Sequence, residues 1–169
     1  MNNARRERTK YKVAAIKVLC MSGICGVIFP IPNKFVDRLF IQNRNVFVKY
    51  IARTTRVGIM PKHKVLFYAS HGSKDIAGEG VIERILFLTP DEAFARYCDK
   101  VFLNKDELKQ YTSMQPKRDS SKKMLVLVLS KLKRYSQPVR FKQPITMAGQ
   151  YLTKEEYKEL LKMVRRTSE

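Results

Sequence analysis

Predicted helices and strands follow one another irregularly along this chain, and that order limits the folds the chain can adopt. Strand patterns occur at residues 26–29, 45–50, 64–70, 76–88, 124–129 and 139–141. Helical spacing follows Pro32, a pair of helices begins at Thr89 and Asn104, and another helix begins at Thr153. A doubly wound parallel sheet needs helices that alternate regularly with strands. The sequence therefore predicts an α+β fold, a small mixed β-pseudobarrel with peripheral helices.

Three of the helix starts carry a capping-box signature. Thr89, Asn104 and Thr153 each precede a Glu by three residues, and Pro90 follows Thr89 at the first helical position. In this arrangement each side chain satisfies a backbone N–H group that the first helical turn leaves without a partner. The C-terminal helix also has an apolar stripe, which indicates packing against the sheet; it comprises Tyr157, Leu160, Leu161 and Val164.

The longest predicted strand contains two glycines two residues apart. Gly78 and Gly80 lie inside residues 76–88, so both fall on one face of the strand. A strand glycine commonly marks a bulge or a place where another group approaches the backbone closely. We expect one of these two features at this face.

A chain of 169 residues with 44% hydrophobic content fits one domain with an ordinary core. We assign residues 25–169, including the C-terminal helix, to that domain, and residues 1–24 to a basic N-terminal arm and lead-in segment. Lys17 interrupts the apolar run 13–20, which disfavours a secretory signal peptide. Two interpretations of the arm remain open, a phosphate-contacting tail and an unstructured terminus.

The cysteines and histidines do not form a recognisable metal or disulfide framework. The three cysteines contain no CxxC pair, and His63 and His71 do not complete a zinc-ligand spacing. We therefore expect reduced cysteines, a cytoplasmic location, no metal and no cofactor. No run reaches the roughly 18 apolar residues of a spanning helix, so we do not expect a membrane partner.

Positive charge is concentrated in two separate segments of the chain. Residues 31–64 carry eight Lys and Arg against one acid, and residues 113–142 carry nine against one. The segment between them, 65–112, has six bases and eight acids, within a total net charge of +19. We expect the two basic segments to converge into one cationic face, for which a polyanion such as nucleic acid is the natural partner.

Five motifs along the chain resemble an archaeal family known as domain of unknown function 365. They are the segments 26–32 (GVIFPIP), 45–49 (NVFVK), 65–70 (VLFYAS) followed by 78–80 (GEG), 123–128 (KMLVLV) and 144–152 (PITMAGQYL). That family is similar to the PUA-like superfamily, with ASCH and EVE domains as relatives. The resemblance implies a β-pseudobarrel that binds RNA or captures a modified nucleobase, and in some relatives hydrolyses its ligand.

These expectations give a set of candidate RNA-binding residues. The partner is expected to be structured RNA, either tRNA or rRNA, and a ribosome-associated structural role is a further alternative. The phosphate contacts are predicted for twelve basic residues, Lys49, Arg53, Arg56, Lys62, Lys64, Lys117, Arg118, Lys122, Lys131, Lys133, Arg134 and Arg140. A base pocket is predicted at Tyr68, Glu79, Gly149, Gln150 and Tyr151.

The ASCH relatives also suggest a hydrolase, either an amidohydrolase or a nuclease, acting on a modified nucleobase or RNA. ASCH-type amidohydrolases use a Lys, a Thr and a Glu on an acylated cytosine. By resemblance the candidates here are Lys49, Thr54 (or Thr55) and Glu79. The Thr hydroxyl would be the nucleophile, Lys49 would lower its proton affinity, and Glu79 would handle the leaving amine.

The catalytic pattern is incomplete in this sequence. Lys49 and Thr54 are five residues apart instead of three. At the positions where the ASCH signature has Gly, Lys and Glu, this chain has Asn43, Asn45 and Val48. We therefore expect a binding protein in preference to an enzyme, with Glu79 paired to a nearby base.

Overall fold

The computed structural model describes residues 23–50, 58–113, 122–142 and 144–166. Within these residues, six strands and four α-helices confirm the predicted α+β class. The strands are β1 (Ile24–Ile31), β2 (Val46–Lys49), β3 (Lys64–Ala69), β4 (Asp75–Leu88), β5 (Met124–Arg140) and β6 (Gln150–Thr153). The helices are α1 (Val36–Phe40), α2 (Pro90–Tyr97), α3 (Lys105–Ser113) and α4 (Lys154–Arg166). Residues 1–22 of the predicted N-terminal arm and lead-in segment lie outside the described residues, whereas Ile24 already belongs to β1. Among the described residues, no helix is long and apolar enough to cross a membrane.

The six strands form one mixed sheet in the order β2-β5-β4-β3-β1-β6. β1 and β3 are parallel, and all other neighbouring strands are antiparallel. The separate strand predicted at 139–141 is wrong, because residues 139 and 140 end β5. Bulges between β4 and β5 and a positive φ of 49° at Lys131 interrupt the alternation of side chains, which hides the continuity of β5 in the sequence.

Three phenylalanines show that the sheet curls strongly. Phe29 on β1 and Phe47 on β2 are separated by three strands in the sheet order, yet their ring centroids are 5.5 Å apart. In a flat sheet four strand intervals would separate them by about 19 Å. Phe47 also contacts Phe67 on β3, with centroids 5.2 Å apart. The inner face of the sheet therefore encloses the main core, as a pseudobarrel requires.

A second, smaller core lies between the outer face of the sheet and α4. Its fully buried members come from four strands and the helix, and they are Ile28, Leu66, Ile76, Leu152 and Leu160. Leu160 belongs to the apolar stripe predicted for the C-terminal helix, so the predicted packing of that stripe is confirmed. The sheet is thus covered on its outer face at the position where Glu79 lies.

The predicted capping boxes are present at α2, α3 and α4. Thr89 N donates to Glu92 Oε2 at 2.8 Å, and Glu92 N donates to Thr89 Oγ1 at 3.3 Å. Asn104 with Glu107, and Thr153 with Glu156, form the same reciprocal pairs. Removal of such a cap typically costs about 1 kcal/mol of stability.

Gly78 is the place where two groups approach the backbone of β4 closely. A Cβ built on Gly78 would lie against the carbonyl oxygen of Lys133 and 2.6 Å from Cζ of Phe40. A Cβ on Gly80 would meet the flexible end of Leu132 at 3.0 Å. The close approach expected from the sequence is therefore made by this protein's own core.

We expect Gly78→Ala to destabilise the protein by about 2–3 kcal/mol, because a methyl group there must displace both the β5 backbone and a core ring. Gly80→Ala is the matched control, and its loss should stay below about 1 kcal/mol because Leu132 can change rotamer. Urea unfolding measures both free energies. Equal losses in the two variants would contradict the close packing at Gly78.

Candidate functional site

A buried carboxylate with three donors lies between the sheet and α4. Glu79 is 8% exposed. Its Oε1 accepts a hydrogen bond from Lys64 Nζ at 2.9 Å, and its Oε2 accepts from the hydroxyls of Tyr135 at 2.9 Å and Tyr157 at 2.8 Å. We call these four residues the Glu79 cluster. It confirms that Glu79 is paired with a nearby base.

The four members of the Glu79 cluster come from four elements of secondary structure. Lys64 begins β3, Glu79 lies in the middle of β4, Tyr135 lies on β5 and Tyr157 is in the first half of α4. The Lys64 ammonium also lies 5.5 Å from the ring centroid of Tyr157. The cluster therefore attaches α4 to the three central strands of the outer face.

The charge state of the cluster follows from two opposing effects. Burial raises the pKa of Glu79, but the hydrogen bonds from Lys64, Tyr157 and Tyr135 outweigh burial and hold the pKa below its ordinary value. Burial lowers the pKa of Lys64, but its bonds to Glu79 and Tyr157 raise the pKa above its ordinary value. Burial and the Glu79 charge raise the pKa of both tyrosines. At neutral pH the cluster is an ion pair with two neutral hydroxyl donors.

Two of the residues predicted for a base pocket, Gln150 and Glu79, lie in one row that crosses four strands. Gln150 pairs with Ile28, Ile28 with Leu66, and Leu66 with Glu79. Gln150 and Glu79 are thus three strand intervals apart, about 14 Å. Ile28 and Leu66 between them are fully buried. The structure therefore places the outer core, and not an open cavity, between these two predicted pocket residues.

Of the other predicted pocket residues, Gly149 and Tyr151 lie at the start of β6 and Tyr68 lies on β3. Gly149 closes a turn in which its N donates to Thr146 O at 2.9 Å. Its φ of +89° and its close approach to Phe29 both require glycine. The Tyr151 hydroxyl accepts a bond from Gly58 N at 2.9 Å, and Tyr151 is 42% exposed. Tyr68 is buried in the outer core.

Parts of the two basic segments lie on β3 and β5, the two strands on either side of β4. Lys64 pairs with Val81 across β3 and β4, and Val81 pairs with Ser130, next to Lys131, on β5. Lys133 is opposite Glu79. The exposed basic residues among those predicted are Lys62, Lys122, Lys131, Lys133, Arg134 and Arg140. The sheet therefore brings parts of both segments within two strand intervals of each other.

Three of the predicted phosphate-binding residues have partners inside the protein or lie below its surface. Arg134 Nη1 is 2.6 Å from Asp37 Oδ1, in an exposed ion pair. Lys64 belongs to the Glu79 cluster. Lys49 is 7% exposed, and its ammonium lies 5.8 Å from the ring centroid of Phe29. Arg53, Arg56, Lys117 and Arg118 lie outside the described residues.

The described members of the candidate catalytic trio are not brought together. Lys49 lies beside Phe29, a member of the main core, whereas Glu79 faces the outer core. The carboxylate of Glu79 accepts its bonds from Lys64, Tyr135 and Tyr157. Thr54 lies outside the described residues, as does Thr55. Among described residues, no three His, Cys, Asp or Glu side chains are close enough to hold a metal ion.

The sequence analysis missed the two tyrosines that hold Glu79. Tyr157 was assigned to the apolar stripe of α4, and Tyr135 lies nine residues before the segment 144–152. Neither spacing reveals a shared partner, because the partner lies 56 residues from Tyr135 and 78 from Tyr157. A buried glutamate in an otherwise apolar strand is itself a signal that hydroxyl or ammonium donors surround it.

Solved structures place this architecture in a known class. An ASCH protein from Zymomonas mobilis matches with a TM-score of 0.66 and 16% identity, over 82% of this chain and 95% of that one. A hypothetical protein from Leishmania major matches with a TM-score of 0.54 and 15% identity, over 86% of this chain and 98% of that one. The fold is therefore the PUA-like fold of ASCH domains, as the sequence motifs predicted.

The family is defined more narrowly by sequence. Residues 24–154 match the family described as a domain of unknown function (DUF365), and the chain belongs to that family. An uncharacterized protein from Methanocaldococcus jannaschii, MJECS03, is 30% identical over 105 residues, which are 59% of this chain and 97% of that protein.

Removal of the Glu79 charge should destabilise the protein in a pH-dependent way. At pH 7 we expect Glu79→Gln to cost about 2–3 kcal/mol, less than a fully buried pair, because the Lys64 side chain is 28% exposed. Since the folded pKa of Glu79 is below the unfolded value of about 4.3, the advantage of the wild type is complete above about pH 5. It should disappear as the pH falls through the folded pKa.

Asp37→Asn is the matched control, because it breaks the exposed ion pair with Arg134 and should change stability by less than about 0.5 kcal/mol. Denaturant unfolding from pH 7 to pH 3 measures both variants. A Glu79→Gln deficit that persists unchanged at pH 3 would show that the loss comes from altered packing and not from the charge.

Proposed function

We propose that this protein binds structured RNA, such as tRNA or rRNA, through exposed basic residues on β5 and on the turn before β3. The observation that supports this most directly is that parts of both basic segments lie close together, on the two strands that flank β4. Lys131 and Lys133 on β5 lie within two strand intervals of Lys62 and Lys64. Phosphate groups are the ligands that such a group of cations attracts most strongly.

The exposed basic residues along β5 also favour binding of a nucleic-acid backbone. β2 pairs with residues 125–128 of β5, and the later half of β5 pairs with β4. That later half carries exposed Lys131, Lys133 and Arg140 over a length of about 30 Å. An extended strand with cations along it can contact several phosphates of a nucleic-acid backbone. Glu79, which is opposite Lys133 on β5, is neutralised by Lys64.

A ribosome-associated structural role is compatible with the same residues, since rRNA presents the same phosphates. In that role the basic N-terminal arm adds contacts to rRNA and a base pocket is not used. Deletion of residues 1–12 should then release the protein from the particle, whereas a tRNA-binding protein would retain its RNA. Crosslinking and sequencing of the RNA bound in the native cell separates these partners.

We expect the affinity for RNA to fall steeply with salt, by about 0.7–0.9 logarithmic units per logarithmic unit of salt for each phosphate contact. The variant Lys133→Gln with Arg140→Gln should bind more weakly and reduce the slope by about two contacts. Lys105→Gln with Lys109→Gln on α3 removes the same charge outside the proposed face. Fluorescence anisotropy with labelled RNA measures each slope, and identical slopes in the two double variants would refute the proposed face.

Hydrolysis of a modified nucleobase is the second candidate function, because the matched structures include an ASCH protein. The candidate residues are Lys49, Thr54 and Glu79. In this case Lys49 lowers the proton affinity of the Thr54 hydroxyl, which is the nucleophile. The engagement of Glu79 by Lys64 and two tyrosines limits its availability for a leaving amine.

If the protein is such a hydrolase, Thr54→Ala should abolish release of the acyl group from an acylated cytosine and leave RNA affinity unchanged. Thr55→Ala is the matched control and should keep most of the activity. Chromatographic separation of substrate and product gives the rate. A wild-type protein without turnover, or equal activity in both variants, would exclude Thr54 as the nucleophile.

A further inference from the structure

An acidic groove lies along α4, in a chain whose net charge is strongly positive. A groove of about 250 Å³ runs between the residues after β5 and the helix. It is lined by two partly buried apolar side chains, three carboxylates and one lysine, namely Phe141, Met163, Glu155, Glu156, Glu159 and Lys142. In a protein with a net charge of +19, a groove lined by three acids and one base favours a cationic occupant, and of these acids Glu159 already pairs with Lys162.

The carboxylates of the groove differ in how they are used. Glu156 caps α4 through Thr153, and Glu159 accepts a bond from Lys162 Nζ at 2.7 Å. Glu155 is exposed and lies beside Gly23, which is the first described residue of the chain. Its Oε2 is 3.8 Å from the position that a Cβ would take on Gly23. The groove therefore begins where the N-terminal segment joins the folded domain.

The backbone of Gly23 is held against the start of α4. Gly23 O accepts a bond from Lys154 N at 2.9 Å, which ties Gly23 to the start of the helix. Its φ of +69° lies in the left-handed region, so the chain turns at this residue as it enters β1. Gly23, to which the preceding segment is joined, therefore lies beside Glu155.

The segment before Gly23 has the composition that this groove fits. Residues 13–19 read VAAIKVL, an apolar run with one lysine, Lys17, and residues 1–22 carry six bases against one acid. Apolar side chains suit Phe141 and Met163, and a lysine suits the carboxylates. Lys17 is six residues from Gly23, a reach of up to about 20 Å, whereas Glu155 and Glu159 lie one helical turn apart.

We propose that residues 13–19 bind this groove within the same molecule, with Lys17 against Glu155 and Glu159 and the apolar side chains against Phe141 and Met163. The short connection gives the segment a high effective concentration at the groove, which a separate peptide would lack. Binding neutralises carboxylates at the start of α4 and covers the apolar surface of the groove. This inference does not depend on the proposed function.

Hydrogen–deuterium exchange of the full-length protein at low salt tests the proposal. Amides of residues 13–19 should exchange at least about tenfold more slowly than in an unprotected peptide. Glu155→Lys should remove most of that protection, and so should Lys17→Glu. The two changes together restore opposite charges at the same positions, so the double variant should regain protection. Glu83→Lys, at an exposed carboxylate of β4, is the control and should leave exchange unchanged.

Exchange of the α4 amides in the same samples shows whether each variant is folded. Unprotected amides at residues 13–19 in the wild type would overturn the proposal. So would protection that both single variants leave intact, or a double variant that is no better protected than either single one. Protection that increases with protein concentration would show that a second copy supplies the segment, which also contradicts binding within one molecule.

Discussion

The buried carboxylate of Glu79 is the constraint on which the outer half of the structure depends. An ionised carboxylate is stable in a protein interior only where donors replace the water it has lost. The donors here come from β3, β5 and α4, so the register of the strands and the position of the helix are set together. A shift of one residue in β4 would turn the carboxylate into the main core, where Phe40 and Val65 face Gly78 and Gly80.

The placement of α4 by Glu79 has consequences at the N-terminus of the helix and along its buried face. At its N-terminus, Lys154 bonds to Gly23, and Glu155 and Glu159 form the acidic side of a groove. Along its buried face, Leu160 completes the outer core. The inner core is organised separately, by the phenylalanines that meet because the sheet curls. Loss of the Glu79 cluster should therefore loosen α4 before it disturbs the pseudobarrel.

Features with local signals in the sequence were predictable, and features set by distant pairing were not. The three capping boxes and the α+β class follow from short spacings that the chain carries by itself. β6 was missed because its four residues form a strand only by pairing with β1. The end of β1 was placed too early, because Pro30 normally stops a strand. The pairing with β6 ends at Ile28, so β1 continues to Ile31 beside β3 alone, where a missing N–H group is tolerated.

For the candidate site, the composition of the chain predicted the positive charge but not the geometry of the charged side chains. Charge counting predicted that the two basic segments lie together, and the sheet places parts of them on β3 and β5, on either side of β4. Charge counting could not distinguish basic side chains that face solvent from those that pair with or pack against other residues of the protein. Lys64 neutralises Glu79, Arg134 pairs with Asp37, and Lys49 is buried beside Phe29. The proposed affinity for RNA therefore depends on fewer, better-placed residues than the net charge suggests, chiefly those along the later half of β5.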